Sequence, residues 1–224
     1  MKWLFIICSY LLSGAAVFGS PLETTEGPDT KAPEVDVELL KTDLLDILNM
    51  IPRDKITAIA MKHLKDDDGF KQAVKYMTEP EWVKLVEDVK AKPEWVALKN
   101  HFSSFGLPID TLINCLDSFV QNITIGPIED KNAKRNLTKF IEEVEGVIPV
   151  TEILVKFNEK MQKNPNMQVL LQKLAEPESK NILENALKLP EVRKMLDELK
   201  EMGMNLYDFL SLLYIFLGWG ELKL

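Results

Sequence analysis

Residues 77–107 read MTEPEWVKLVEDVKAKPEWVALKNHFSSFGL, and residues 174–204 read LAEPESKNILENALKLPEVRKMLDELKEMGM. Laid over each other without a gap, they pair Glu79-Pro80-Glu81 with Glu176-Pro177-Glu178, Glu87 with Glu184, Pro93-Glu94 with Pro190-Glu191, and Gly106 with Gly203. Most of the shared residues are those that start and stop helices. Proline is favoured in a helix's first turn, where its missing N–H would have no partner anyway, and glycine just past the end. Between these marks the apolar residues recur every three or four positions. Trp82, Leu85, Val86 and Val89 form one stripe; Trp95, Leu98, Phe102 and Phe105 form another, answered by Val192, Met195, Leu199 and Met202. That is the spacing of one buried helix face.

The register extends outward in both directions at the same offset of 97 residues (148 − 51), carrying Ile51-Pro52 onto Ile148-Pro149, Ile56 onto Ile153 and Phe119 onto Phe216. A repeat carried by helix punctuation marks a duplicated structural unit. The expectation is an all-α fold of two tandem six-helix repeats, about twelve short helices forming one globule. The helices of copy one are predicted near 37–49, 52–64, 68–77, 79–91, 93–105 and 108–120. Those of copy two are predicted near 135–147, 149–161, 165–174, 177–188, 190–202 and 205–218. Thr78 and Glu81 have the spacing of a capping box around Pro80. The last helix of each copy, Leu107 to Val120 and Leu206 to Leu217, is apolar nearly all round, which predicts a central, buried element.

The flanks divide the chain further. Lys2, an apolar run from Trp3 to Val17 and small residues up to Gly19 read as a secretory signal peptide over 1–19. Residues 20–36, with Pro21, Gly27, Pro28 and Pro33 among acids and threonines, read as a disordered acidic and proline-rich segment. Repeat one is set at 37–122, an exposed linker at 123–134 and repeat two at 135–224. The chain has 27 basic and 35 acidic residues; without Lys2 the balance is 26 − 35 = −9. An acidic surface argues against nucleic acid, which needs a basic patch, and suits a dispersed luminal protein. With Cys8 in the signal, Cys115 is the sole remaining cysteine, so no intramolecular disulfide is available. Two sequons, Asn122-Ile123-Thr124 and Asn136-Leu137-Thr138, mark candidate glycosylation sites.

Ile-Pro at a helix junction, a Glu-Pro-Glu-Trp start (79–82), a Pro-Glu start (93–94), a Phe-Gly-Leu stop (105–107) and a terminal Phe-Leu-Gly-Trp-Gly (216–220) form a recognisable combination. It resembles the insect allergen-related repeat family, which includes the major cockroach gut allergen, mosquito midgut microvillar proteins and the nitrile-specifier proteins of butterfly larvae. The likeness spans about 40–220 and matches single-domain members with one duplicated unit. It implies a shell of helices around a large apolar cavity that holds fatty acids or phospholipids, in a protein secreted to the gut lumen or microvillar surface. Periodicity alone does not reveal a cavity; a solid two-lobed core leaves the same signature. Copy two departs from the pattern at Ala175, where a serine or threonine is usual, and at Ser179, which stands where copy one has Trp82.

The candidate ligand-binding residues are the apolar positions of the two final helices: Leu112, Ile113, Leu116 and Phe119, then Phe209, Leu210, Leu213 and Phe216. Fatty acids or phospholipids are the expected partners, with peripheral association to a microvillar membrane as a further one; oligomeric state is left open. No catalytic residue, cofactor or metal is assigned. His63 and His101 sit in no nucleophile or ligand pattern and are expected at the surface or at helix ends. Asp66-Asp67-Asp68-Gly69 lacks the alternation of a calcium loop and reads as a solvated turn and helix start. Asp117 and Asp208, inside the final helices, are expected to cap or to face solvent. The competing functions are nitrile-specifier-like detoxification of plant defence products and a structural microvillar or gut-matrix role without a ligand.

Overall fold

The computed structural model of the chain describes residues 36–107 and 124–223. Within them the chain forms eleven helices and no strand. These are α1 (Val37–Leu48), α2 (Arg53–Asp66), α3 (Asp68–Thr78), α4 (Pro80–Lys90), α5 (Pro93–Ser104), α6 (Thr138–Val147), α7 (Val150–Lys163), α8 (Pro165–Ala175), α9 (Pro177–Leu187), α10 (Pro190–Glu201) and α11 (Leu206–Phe216). The expected signal peptide, residues 20–35 and the whole predicted final helix of copy one, with Leu112, Ile113, Cys115, Leu116, Asp117, Phe119 and Asn122, lie outside the described residues.

The duplication is visible in the backbone. Helices α2 to α5 begin and end 97 residues before α7 to α10. The residues preceding α2 and α7 match in conformation: Pro52 at φ −78°, ψ 76° and Pro149 at φ −80°, ψ 71°. So do the N-caps of α3 and α8, Asp67 at φ −124°, ψ 101° and Asn164 at φ −120°, ψ 106°. Each accepts a hydrogen bond from a first-turn N–H, of Phe70 and of Asn166 respectively. Those bonds satisfy donors that a helix leaves orphaned at its start.

One expected cap is corrected. Thr78 does not cap α4, whose N-cap Glu79 makes no side-chain capping bond. Thr78 is still the last residue of α3, and its hydroxyl donates back to the Lys75 carbonyl at 2.7 Å. With a single residue between the helices, the threonine backbone remains helical and its side chain bonds the preceding turn.

The two copies are not separate lobes. Helix α1 packs on α7 and α8 of the other copy, and α6, its counterpart, packs on α2. In the same reciprocal way α5 packs on α9 and α10 on α4. Each of the three clusters of buried apolar side chains therefore mixes residues of both copies. One gathers Leu64, Phe70, Val74, Trp82 and Leu85 with Leu137 and Met202. Another joins Val89 to Leu183, Leu187, Leu196, Tyr214, Leu217 and Trp219. The third sets Leu40 against Met167 and Leu170.

The connection between copies is exposed over most of its length and tied down at a few points. Lys71, only 3% exposed, donates to Asp68 at 2.7 Å and to the Pro127 carbonyl at 2.9 Å. Asp68 accepts from the Asp130 N–H at 2.7 Å, and the Gly69 carbonyl accepts from the Asn136 N–H. The acidic run at 66–69 thus starts a helix, as expected, but its second and third carboxylates hold neighbouring chain instead of facing water.

Gly203 closes α10 in the left-handed region at φ 92°, with Met204 N–H bonding Leu199 O and Gly203 N–H bonding Lys200 O. That pair of bonds is a Schellman motif. A side chain there would meet Thr138 Oγ1 at 2.3 Å. Gly146, in the last turn of α6, has nothing within 4 Å of a would-be Cβ. We expect Gly203→Ala to lower unfolding free energy by more than ~1 kcal/mol, since the left-handed region alone disfavours a Cβ by about that much. Gly146→Ala should instead raise it by about 0.5 kcal/mol through the unfolded chain. Urea titrations of the two variants would check the opposite signs.

Candidate functional site

Helix α11 supplies the described half of the predicted ligand residues. Its sequence, LYDFLSLLYIF, is apolar on nearly every side, yet only Leu212 and Tyr214 are fully buried within it. Phe209, Leu210, Leu213 and Phe216 are each half-buried, and Ile215 is 51% exposed. Expected burial on all sides is corrected to partial burial, because among the described helices α11 packs chiefly on α10. Asp208 is exposed in its first turn, as expected. Helix α5 behaves alike: Trp95, Leu98 and Phe102, with Phe105 just after it, are all half-buried, and the helix has no buried residue. Trp95, Leu98, Leu210, Leu213 and Phe216 all pack against the cluster around Tyr214.

The end of α11 is held by a hook. Gly218 at φ 70° lets Trp219 N–H bond the Tyr214 carbonyl and Gly218 N–H bond the Ile215 carbonyl, a second Schellman motif. The turn drives the Trp219 ring inward, where it meets Tyr214 edge-on at 5.1 Å and donates from Nε1 to the Ala175 carbonyl at 2.9 Å. Lys180 binds the Trp219 carbonyl at 2.9 Å. Tyr214 is fully buried and its hydroxyl has no hydrogen-bond partner. Burial, with the nearby Glu184 charge, pushes its phenol up to about 12. A buried donor left unpaired in an apolar cluster is a costly feature, of order 1–3 kcal/mol.

Two ionic clusters sit where each copy's first helix crosses the other's second. In one, Lys160 of α7 bridges Asp43 and Asp46 of α1, and Asn164 Nδ2 donates to Asp43 at 2.6 Å. Burial pushes the Asp43 carboxyl up, but the bonds from Lys160 and Asn164 outweigh it and hold the group below its ordinary range. Lys160 is held above its own, by the same bonds from Asp43 and Asp46. In the other, His63 of α2 faces Asp67 at 3.0 Å through Nδ1 and Glu143 of α6 at 3.4 Å through Nε2. Burial raises Asp67, while the Phe70 N–H and His63 draw it below its ordinary value. His63 sits at a helix end, one of its two expected placements, but is only 4% exposed, packed against Phe70 and Phe140. It lies in the last turn of α2, where the packing of α6 covers it. The register of 97 aligns His63 with Lys160 and Asp46 with Glu143, so basic and acidic positions recur in both copies. That signal was available in the sequence, but it gains meaning only once the copies are known to cross.

His101 and Ser179 also meet, with Nε2 to Oγ at 2.8 Å. The serine hydroxyl donates to the Lys173 carbonyl at 2.7 Å and is 0% exposed. Its one proton is committed to main chain and no substrate can approach, so the pair joins α5 to the α8–α9 corner instead of forming a nucleophile. His101, near the end of α5, is half-buried. Met167 and Met202 are core side chains at 0% exposure, whereas Met61 is 60% exposed. A surface groove of about 480 Å³ lies between α1, α7 and the start of α8, lined by Leu39, Asp43, Lys156, Glu159, Lys160 and Lys163 among others. Several of its lining residues are charged, unlike the predicted apolar site. Among the described residues no group of His, Cys, Asp and Glu is arranged to hold a metal, and no helix is long and apolar enough to cross a membrane.

Carboxylates held below their ordinary range stabilise the fold above their unfolded-state pKa and lose that contribution as pH falls through the folded value. Asp43 and Asp67, whose unfolded value is near 3.8, should therefore leave stability flat from pH 7 to about 5 and steepen its loss below about 4. Denaturant titrations across that range would check the profile. Lys160→Met, which strands Asp43, should cost roughly 3 kcal/mol at pH 7.

Two comparisons bear on this arrangement. The profile described as "Insect allergen related repeat, nitrile-specifier detoxification" matches residues 39–210. "Protein G12" of Anopheles gambiae is similar, 22% identical over 186 residues that cover 81% of this chain and 88% of that protein.

Proposed function

Because the chain belongs to the insect allergen related repeat family, we propose that it is a secreted, non-catalytic carrier of apolar ligands, fatty acids or phospholipids, held against α5 and α11. The observation that supports this reading is the set of large apolar side chains on those two helices that stay half-buried: Trp95, Leu98 and Phe102, with Phe209, Leu210, Leu213 and Phe216. Ordinary core helices in this fold bury such groups, as α4 buries Trp82, Leu85 and Val89. A surface of this kind gains about 0.8 kcal/mol for each methylene it removes from water. Affinity then comes from acyl length and not from headgroup contacts, and the carrier is lax about the headgroup. Bound ligand also stabilises the carrier by mass action.

The profile's description names nitrile-specifier detoxification as well. Diversion of a reactive plant product is the second reading. An unchanged product spectrum when the protein is added to a glucosinolate–myrosinase mixture would remove it.

Native mass spectrometry of protein secreted from insect cells, before and after delipidation, tests the carrier reading. Adducts of lipid mass that vanish on delipidation, together with a lower melting temperature, are expected. A bare mass and an unchanged melting temperature would overturn it. Among the described residues Phe209 belongs to none of the three core clusters. Phe209→Ala should therefore weaken acyl binding about tenfold, the equivalent of ~1.4 kcal/mol of lost apolar contact, while changing the delipidated melting temperature little.

A further inference from the structure

We propose that Asn136 carries an N-linked glycan and that this glycan shields the exposed linker between the two copies from trypsin-like proteases. The sequon Asn136-Leu137-Thr138 sits where the linker enters α6. Its middle residue is locked in the core: Leu137 is 4% exposed and its N–H bonds the Met202 carbonyl at 2.7 Å. The two flanking residues are exposed. Asn136 Oδ1 accepts from the Thr138 N–H at 2.8 Å, so the carboxamide is turned with its oxygen toward the helix start. Its Nδ2, the atom that takes the sugar, has no hydrogen-bond partner among the described residues. Gly69 and Gly203 form the walls beside the sequon. A Cβ on Gly69 would stand 3.3 Å from Asn136 Cβ, and one on Gly203 would stand 2.3 Å from Thr138 Oγ1. The fold thus keeps the sequon close to its neighbours on the inner side and open on the outer side.

The residues just before it explain what a glycan would do there. Lys131, Lys134 and Arg135 fall within five residues of Asn136, in a stretch without helix or strand. Lys131 and Lys134 are exposed, and the Arg135 guanidinium lies 3.9 Å over Tyr76 and 3.2 Å from Glu198. Exposed, non-helical chain with basic residues is where trypsin-like enzymes cut. A bulky, hydrated oligosaccharide one residue beyond Arg135 blocks their approach.

The modification uses a polyprenyl-pyrophosphate-linked oligosaccharide of the secretory lumen. Asn136 Nδ2 attacks the sugar C1; the N–C1 bond forms as the C1–O bond to pyrophosphate breaks. The polyprenyl pyrophosphate leaves with the electron pair and the amide gives up one proton. The proposal rests on entry into that lumen, which the carrier reading also requires, but not on ligand binding.

The test is expression of the full chain in insect cells, followed by peptide mapping with and without peptide-N-glycosidase. Secreted protein whose Asn136 peptide is recovered as Asp only after the enzyme supports the site. Asn136→Gln and Thr138→Ala should abolish the modification, and Thr138→Ser should keep it, which separates loss of the sequon from misfolding. Secreted protein with unmodified Asn136 overturns this proposal alone; a chain retained in the cytosol overturns it together with the secreted carrier. Limited trypsinolysis of the folded glycoprotein should cut after residues 131, 134 and 135 several-fold more slowly than the same protein after enzymatic deglycosylation. Equal rates would overturn the shielding role.

Discussion

Everything in this fold rests on one arrangement, the seating of each copy's first helix against the second helix of the other copy. A short amphipathic helix cannot bury its apolar face alone. Here α1 buries Leu40 against Met167 and Leu170, and α6 contributes Phe140 and Ile141 to the cluster around Phe70. Part of the complement of each first helix comes from the other copy. At each crossing a basic side chain of one copy faces a carboxylate of the other. Breaking either crossing exposes apolar surface in both copies, which makes the duplicated chain one cooperative unit.

The exchange also positions the candidate ligand surface. Helix α5 is fixed on α9, and α11 is fixed on α10 and by the Trp219 hook, so two helices from different copies present apolar side chains around the same cluster. That surface belongs to neither repeat and arises only when both are in place. The unpaired Tyr214 hydroxyl lies in the cluster that both helices pack against.

Much of the fold was legible because helix ends are written in residue types with strong local reasons. Pro80, Pro93, Pro177 and Pro190 each open a helix within a residue of the expected place, and Gly106 and Gly203 both adopt positive φ. The ionic crossings were not legible, since nothing local tells Lys160 that its partners are Asp43 and Asp46, more than a hundred residues away. Thr78 misled for a related reason: a capping box read from spacing assumes a non-helical start, and α3 runs straight to it. The ligand residues divided by their surroundings. Phe209, Leu210, Leu213 and Phe216 are apolar by sequence, but their half-burial depends on which helices reach α11, which periodicity does not encode.

The two crossings differ in a way that makes the copies complementary and not merely alike. Copy one offers His63 and Asp67 on its second helix and meets Glu143, with Phe140 where the other crossing has Asp43. Copy two offers Lys160 and Asn164 and meets Asp43 and Asp46. The first crossing sets Lys62 and His63 against Glu143 and Asp67, and the second sets Lys160 and Asn164 against Asp43 and Asp46. Where copy one has Lys62, which binds Glu143 at 2.8 Å, the equivalent position of copy two is Glu159. Setting the second helix of copy two against its own first helix would bring Glu159 to the place of Lys62 beside Glu143, acid against acid. The two halves are therefore not interchangeable within the chain.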